Sequence, residues 1–567
     1  MLQSNKPLII QSDRSILLHT DSPLFKAARD GLSLFAELVK SPEYIHTYRI
    51  TPLSLWNAAA CGVDVEKIID ILNSFSRFAV PENILFEIRD YFVRYGQLQL
   101  EKNPDDPQTL LLTSQDEILL IELMNQPWFL EYAIRKRDAR AIIVDGSRRG
   151  HLKQALIRQG LPVEDTAGYQ SGKPLPIQLN EQTLLGEPLS VRYYQEEAAD
   201  SYWAGGSTRG GSGVVVLPCG AGKTMVGMAV MARVKEHTLI LVTNTAALHQ
   251  WRDELLDKTN LRPSDIGEYS GELKEFKPVT ITTYQILTYR RNKEDDFVHM
   301  HLFNKKNWGL VIYDEVHLLP APVFRFTAEI QSMRRLGLTA TLVREDGREE
   351  DVFSLIGPKK YDVPWKVLEE QKWIAKAECV EIRLPLPEHL RMEYALSSRR
   401  EKYRVAASNP AKIEIIEYLV GLHKRENILV IGQYLDQLKM IAERLKAPLI
   451  TGRTPNAVRE KLYDAFRIGE EPVLIVSKVA NFAIDLPCAG VAIQVSGTFG
   501  SRQEEAQRLG RILRPKTDQK TAWFYSLVTR ETIDQKYAVN RQLFLTEQGY
   551  QYHILNHDQL DKLPYCP

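Results

Sequence analysis

The feature that most constrains the fold is a rhythm that starts near residue 185 and runs to the end of the chain. Short runs that are apolar throughout alternate with longer amphipathic stretches. The runs include "GVVVL", "TLILVT", "VTITT" and "WGLVIYDE", then "ENILVIGQ", "PVLIVS", "GVAIQVS" and "TAWFYSLVT". A strand without polar alternation is covered on both faces. Strands alternating with helices build parallel sheets. The pattern predicts an α/β chain with two parallel-sheet lobes in tandem, at about 185–375 and 376–567.

Two further regions precede them. Residues 1–103 begin with strand-like "PLIIQSDRSILLH" and helical "PLFKAARDGLSLFAELV". Thr51-Pro52 is an N-cap with proline at the first helical position, opening "LSLWNAAACG". Helices at "DVEKIIDILNSF" and "ENILFEIRDYFVRYG" follow, then strand-like "QLQLEK". This suits either a winged-helix-like module or a generic helical adaptor. Residues 104–175 alternate strand-like "QTLLLT" and "RAIIVDG" with helical "SQDEILLIELMN" and "SRRGHLKQALIRQG", a small α/β domain. It carries two basic clusters, Arg135, Lys136, Arg137 and Arg140, then Arg148, Arg149, Lys153 and Arg158. Such clusters either neutralise phosphates or form a solvated charged face. "AGYQSGKPLPIQLNEQTLLGEPLS" is punctuated by proline and glycine and predicts a linker. "WAGGSTRGGSGVVV" predicts a flexible loop.

Bulk properties exclude several classes. Lys+Arg and Asp+Glu both total 72, so any nucleic-acid surface must be local. The five cysteines are widely separated with no C-x-x-C pair, which argues against a zinc site or disulfide framework and suits a reducing cytoplasm. The first residues lack a signal-peptide pattern, and no apolar run approaches the length of a membrane helix, so no membrane partner is expected.

"LPCGAGKT", Leu217–Thr224, sits between a strand and the helix candidate "TMVGMAVMARV". It lacks the first glycine of the G-x-x-x-x-G-K-[ST] pattern, which falls on Leu217. A strand-to-helix turn presents unpaired N–H groups and a positive dipole end to anions. Gly220 and Gly222 allow close backbone approach, Lys223 places charge on the β/γ-phosphates, and the Thr224 hydroxyl can ligate Mg²⁺. "WGLVIYDEVH" ends an apolar strand in Asp314-Glu315. Asp314 can hold the metal, and Glu315 can polarise the attacking water. Thr339 and Thr341, in "LGLTATL", can sense a water or carboxylate. Gln507, Arg511 and Arg514, in "EEAQRLGRILRP", fall on one helical face and can stabilise charge in phosphoryl transfer.

The ordered set "VRYYQEEA", "PCGAGKT", "VTNTAALHQW", "DEVH", "TAT", "ILVIGQY", "VSKVANFAIDLP" and "QRLGRILRP" resembles the superfamily-2 helicases over about residues 190–550. More closely, "PCGAGKT" behind a leucine, "DEVH", Arg344-Glu345-Asp346 and the Ser477-Lys478-Val479…Asp485-Leu486-Pro487 form are similar to the bacterial and archaeal XPB family of DNA-repair helicases. The resemblance implies two tandem RecA-like lobes, with a damage-recognition-like domain at 104–175 and a thumb-like insertion at about 388–407. It assigns Arg192 and Gln195 to the adenine base and Gly220, Ala221, Gly222, Lys223 and Thr224 to the phosphates. Thr243, His317, Thr339, Thr341 and Asp485 become coupling residues, and Arg344-Glu345-Asp346 a wedge at the duplex. In the thumb, Arg399, Arg400, Lys402 and Arg404 would grip phosphates and Tyr403 would stack on bases. The implied activity is ATP- and Mg²⁺-dependent 3′–5′ opening of duplex DNA in nucleotide excision repair. The implied setting is a monomer in a prokaryotic cytoplasm, nucleoid-associated and paired with a nuclease or other repair proteins. A double-strand translocase or an ATP-gated damage clamp is the alternative. The stretch "KVANFAIDLP" lacks the glycines common in helicases, and the thumb segment includes acidic residues.

Overall fold

The computed structural model describes residues 6–40, 44–271, 273–290, 298–299, 302, 307–331, 333–341, 349–477, 489–497, 501, 505, 508–510, 512 and 521–563. They form two compact units: Met1–Leu217 with Gly222–Asp362, and Val363–Pro567 with Pro218–Ala221.

Each unit contains one seven-stranded, fully parallel sheet. The first has the order Ile266–Tyr269, Val279–Thr283, Thr238–Val242, Leu310–Asp314, Arg334–Thr339, Ser212–Val216, Lys359–Asp362. The second has the order Leu449–Ile450, Val473–Ser477, Asn427–Gly432, Ala489–Gln494, Ala522–Thr529, Ala377–Leu384, Tyr552–Asn556. The central strands Ser212–Val216, Thr238–Val242 and Ala522–Thr529 are buried at every position, as their unbroken apolar runs require. Each fully buried Val, Leu or Ile contributes about 1.5–3 kcal/mol. These two sheets are the tandem parallel-sheet lobes expected from the strand–helix rhythm, and the RecA-like lobes that the resemblance implies.

Two smaller sheets belong to the first unit. One is four-stranded and antiparallel, in the order Leu8–Ile10, Ser15–His19, Ile45–Arg49, Glu37–Lys40. "PLIIQSDRSILLH" is thus a hairpin of two strands. "PLFKAARDGLSLFAELV" is helical only over Phe25–Leu32, and its end forms the strand Glu37–Lys40. The helix Pro52–Ala60 starts as expected, with a capping box between Thr51 and Ser54.

The second small sheet has five strands, Ala133–Asp138, Ala141–Asp145, Thr109–Ser114, Leu98–Lys102 and Val163–Asp165. "QLQLEK" therefore pairs with Thr109–Ser114, in this sheet and not in the first. The helix Arg149–Arg158 joins it to the first lobe. Gly150 lies so close to Ala328 that a side chain there would meet Ala328 backbone atoms. Lys153 Nζ donates to Gln331 Oε1 (2.8 Å) and Gln154 Nε2 to Asp351 Oδ1 (2.8 Å). Trp56, Ile157 and Phe353 close an apolar junction of both small regions with the lobe. Composition predicted a linker over 167–190; the segment is instead an ordered strap across the lobe. Leu175 and Ile177 are buried, and Leu175 N donates to Lys235 O (2.8 Å).

Candidate active site

All strands of the first sheet run parallel, so their C-terminal ends share one edge, where open α/β sheets bind ligands. Leu217, Thr243, Asp314 and Thr339 all lie at those ends. Leu217 N extends the sheet by donating to Thr339 O (3.0 Å), so the position where the motif lacks glycine is buried strand, not phosphate loop.

Gly220 (φ +82°) and Gly222 (φ +81°) take left-handed conformations that favour glycine. Gly222 caps the helix Lys223–Val234, whose first N–H groups and dipole form an anion site. A Cβ on Gly222 would lie 2.5 Å from Gln195 Nε2. Gln195 is buried, and its Oε1 accepts from Arg192 N (2.9 Å) at the start of Tyr193–Trp203. The expected base-reading pair is thus joined to the end of the phosphate loop, with Thr224 half-buried in the helix's first turn.

Lys223 Nζ is 3.5 Å from Glu315 Oε1. Glu315 is a non-glycine residue at φ +50°, a conformation that costs about 1 kcal/mol or more. Its Oε2 lies 3.5 Å from His317 Nδ1, which is 2.7 Å from Thr339 Oγ1. The Thr339 hydroxyl donates to Thr341 O (2.6 Å). Its single proton is then used, so His317 Nδ1 is the donor to Thr339. One line of contacts thus joins Lys223, Glu315, His317, Thr339 and Thr341.

Asp314 is held separately. Oδ2 accepts from Trp251 Nε1 (2.9 Å), Oδ1 from Glu315 N (3.1 Å), and the carbonyl from the Tyr284 hydroxyl (2.8 Å). Burial, then the Glu315 charge, pushes Asp314 up to about 6. Burial alone would raise Glu315 too, but Lys223 and then His317 outweigh it and hold the carboxyl below its ordinary value. The two adjacent carboxyls are split, with Glu315 kept ionised beside the lysine and Asp314 short of positive charge. That deficit, with the oxygen donors of Asp314 and Thr224, is chemistry that would fit a hard divalent cation.

Sequence reasoning missed Trp251 and Tyr284. The signal for Trp251 was Gly227, alone inside a helix. A Cβ at Gly227 would meet the Trp251 ring at 2.5 Å, so glycine makes room for the indole that reaches Asp314.

Several expected residues, Arg344, Glu345, Asp346, Asp485, Gln507, Arg511 and Arg514, lie outside the described residues. In the second unit, the thumb-like segment is two helices, Glu388–Leu396 and Arg399–Ala407. Arg399 and Arg400 are exposed; Lys402 is half-buried, 5.7 Å over the Tyr394 ring. Tyr403 was expected to stack on bases, but it is fully buried and its hydroxyl donates to Gly497 O (2.5 Å). Arg149 and Lys153 are likewise buried and paired with Asp165, so they cannot face phosphates; Arg135, Lys136, Arg137 and Arg140 remain exposed.

A phosphate loop and a split acidic pair at one sheet edge, with a second parallel-sheet lobe following, define a P-loop ATPase of the two-lobed helicase class. Comparison narrows the class. The family model "ERCC3/RAD25/XPB C-terminal helicase" matches residues 368–563, "Type III restriction enzyme, res subunit" matches 188–344, and "Helicase conserved C-terminal domain" matches 8–138. The chain is 54% identical to "DNA 3'-5' helicase XPB" of Mycobacterium tuberculosis, covering 98% of each chain. It is 53% identical to the protein of the same name from Kineococcus radiotolerans, over 98% of this chain and 97% of that one. To "General transcription and DNA repair factor IIH helicase/translocase subunit XPB" of Enterocytozoon bieneusi it is 33% identical, over 96% and 92%. The chain belongs to the XPB family.

Proposed function

We propose that the protein is an ATP-dependent DNA helicase of 3′–5′ polarity that opens duplex DNA in nucleotide excision repair. The observation that carries the ATP site is Lys223 at 3.5 Å from Glu315, beside a half-buried Asp314 at the same sheet edge. Gly220, Ala221 and Gly222 hold the phosphates through backbone N–H groups, Lys223 places charge on them, and Arg192 and Gln195 hold the base. Glu315 takes the proton of the attacking water; His317, Thr339 and Thr341 keep its carboxylate oriented and pass its state onward from the sheet edge. Mg²⁺, held by Thr224 and Asp314, would supply charge neutralisation at the phosphates. Thr243 and Asp485 couple the ATP site to DNA, and Gln507, Arg511 and Arg514 stabilise the charge of phosphoryl transfer. Arg344, Glu345 and Asp346 act at the duplex junction, with Arg399, Arg400 and Lys402 on the backbone. The protein acts as a monomer in the cytoplasm, at the nucleoid, with a nuclease or other repair proteins as partners. The domain limits expected from the sequence, 1–103, 104–175, 185–375 and 376–567, shift at two places: the strand Leu98–Lys102 goes with the second region's sheet, and the second lobe's unit starts at Val363.

Strand displacement on 3′-tailed, 5′-tailed and blunt duplexes tests this reading. Unwinding of the 3′-tailed substrate alone is expected; DNA-stimulated ATPase without displacement would leave a translocase or clamp. Lys223→Ala should lower ATPase at least about 100-fold while DNA binding persists, since Lys223 serves the phosphates. Hydrolysis at the wild-type rate would remove the site assignment.

A further inference from the structure

Three donors fix Asp314, and each comes from a different place in the first lobe. The Tyr284 hydroxyl binds its carbonyl, and the neighbouring Glu315 N–H binds Oδ1. Oδ2 accepts from Trp251 Nε1 (2.9 Å), and among the described residues Trp251 is the one side chain hydrogen-bonded to this carboxylate. Trp251 lies on the helix Thr245–Lys258 and is 2% exposed. The indole N–H is a donor only and carries no charge. It therefore fixes Oδ2 without a cation that would compete for the carboxylate. Each carboxylate oxygen has two lone pairs, so one donor apiece leaves both oxygens able to hold something more.

The fold gives up helix stability to seat that indole. Gly227 is buried inside the helix Lys223–Val234, whose first turn carries Lys223 and Thr224. Glycine weakens a helix interior, where alanine is the best residue. Its backbone is not left-handed, so conformation does not require glycine there. Space does. A Cβ at Gly227 would lie 2.5 Å from Trp251 Cη2 and 3.2 Å from Cζ3, the outer edge of the indole. An apolar core could close the same gap with alanine and a phenyl ring, since volume-conserving swaps are well tolerated. Such a pair would lack the N–H on Asp314. One helix thus presents its first turn to the phosphates and, a turn further on, the slot that aims Trp251 at the adjacent carboxylate.

We propose that Trp251, seated by Gly227, is a positioning residue for the Mg²⁺-binding carboxylate of Asp314. The inference rests on the reading above, in which Asp314 and Thr224 hold Mg²⁺ with ATP. Groups that hydrogen-bond a metal-holding carboxylate set its orientation, and their loss weakens metal binding about 10–100-fold. Without the indole N–H, the Asp314 carboxylate keeps only the donor from the Glu315 backbone and can turn about its Cβ–Cγ bond.

The test uses the full chain and two readouts: the Mg²⁺ dependence of steady-state ATPase, and the affinity of the non-hydrolysable analogue AMP-PNP by calorimetry, in Mg²⁺ and in EDTA. Trp251→Phe keeps an aromatic ring and removes the N–H. Its half-saturating Mg²⁺ should rise about tenfold, with a smaller fall in kcat at saturating Mg²⁺. Mg²⁺ should strengthen AMP-PNP binding about tenfold less than in wild type, while affinity in EDTA stays within about twofold. Gly227→Ala pushes the same ring from the other helix and should shift the Mg²⁺ dependence the same way. The double variant separates positioning from packing. A phenyl ring ends short of the indole's outer edge, so Gly227→Ala added to Trp251→Phe fills the vacated space. Melting temperature should then recover toward wild type, and the Mg²⁺ requirement should stay raised. Wild-type Mg²⁺ dependence in Trp251→Phe, or a Mg²⁺ requirement that recovers together with melting in the double variant, overturns the positioning role. Asp314→Asn with wild-type Mg²⁺ dependence would instead remove the underlying reading of Asp314, and the proposal with it.

Discussion

Two buried ionic clusters, one in each unit, handle charge in opposite ways. In the first, Asp165 is saturated. Arg149 donates to both of its oxygens (2.6 and 3.0 Å), Lys153 adds a third bond (2.9 Å), and Lys153 continues to Gln331 (2.8 Å). In the second, Arg541 stands 3.6 and 3.7 Å from its two carboxylates and bonds to neither. All of these side chains are at most 8% exposed, so burial alone does not explain the difference. Saturation does. A buried pair with every lone pair used has one arrangement and acts as a clamp. The Arg541 guanidinium is instead within ion-pair reach of two carboxylates, Glu505 and Asp534, with the Tyr403 hydroxyl 3.4 Å from its Nη1. The first cluster fixes the small five-stranded sheet to the lobe; the second lies within the other lobe and joins the helix Ile533–Glu547 to Glu505 and Lys412.

The sharpest way to break this contrast is Asp165→Asn. It leaves Arg149 and Lys153 buried without a counter-charge, which should cost about 3–5 kcal/mol and lower the melting temperature by roughly 10 °C. Lys153→Met comes next. Asp165 keeps its two bonds to Arg149, so the loss should be about 1–2 kcal/mol, chiefly from the freed Gln331 acceptor. Glu505→Gln should cost the least, about 1 kcal/mol: no hydrogen bond to Arg541 is lost, but the new amide N–H₂ stands against one of the two donors to Glu505, Gln494 Nε2 or the Tyr552 hydroxyl. Denaturant midpoints of the three variants settle the order. If Glu505→Gln proves as costly as Asp165→Asn, both clusters are clamps.

The contrast also marks what was legible in the sequence. The two parallel sheets were readable because unbroken apolar runs such as "GVVVL" and "TAWFYSLVT" can be satisfied only by burial on both faces. The phosphate loop and Asp314-Glu315 were readable because their spacing from those runs put them at strand ends. Arg149 and Lys153 were not readable as a clamp. In the sequence they belong to a run of basic residues, and their partner Asp165 stands twelve or more residues away across a turn. Tyr403 was misread for the same reason. Its basic neighbours Arg399 and Arg400 are exposed, but helical geometry turns Tyr403 inward, onto the Tyr537 ring. The strap after residue 168 was hidden because its bonds to Lys235 and Lys258 are main-chain and leave no side-chain pattern. Trp251 was hidden because its hydrogen bond to Asp314 spans 63 residues.

Acidity gives the smallest and most specific probe. Burial alone would raise the Asp165 carboxyl, but Arg149 and Lys153 outweigh it and hold it well below the ordinary 3.8. A carboxyl depressed on folding binds its proton more weakly in the native state than in the unfolded chain. Its contribution is therefore fully present above the unfolded value near 3.8 and lost only as pH falls below it. The gap between wild type and Asp165→Asn in urea midpoint should be flat across pH 7, 6 and 5, so the clamp is indifferent to mild acid. Lys153 behaves differently at the other end. Burial, partly offset by Asp165, pushes it down to about 8 from 10.5, so between those values the unfolded chain holds the extra proton. Stability from this group then rises with pH, and wild type should gain on Lys153→Met between pH 8 and 10. A gap that narrowed between pH 7 and 5, or a wild type that lost ground above pH 8, would mean that Asp165 is not saturated, and the two clusters would no longer differ in kind.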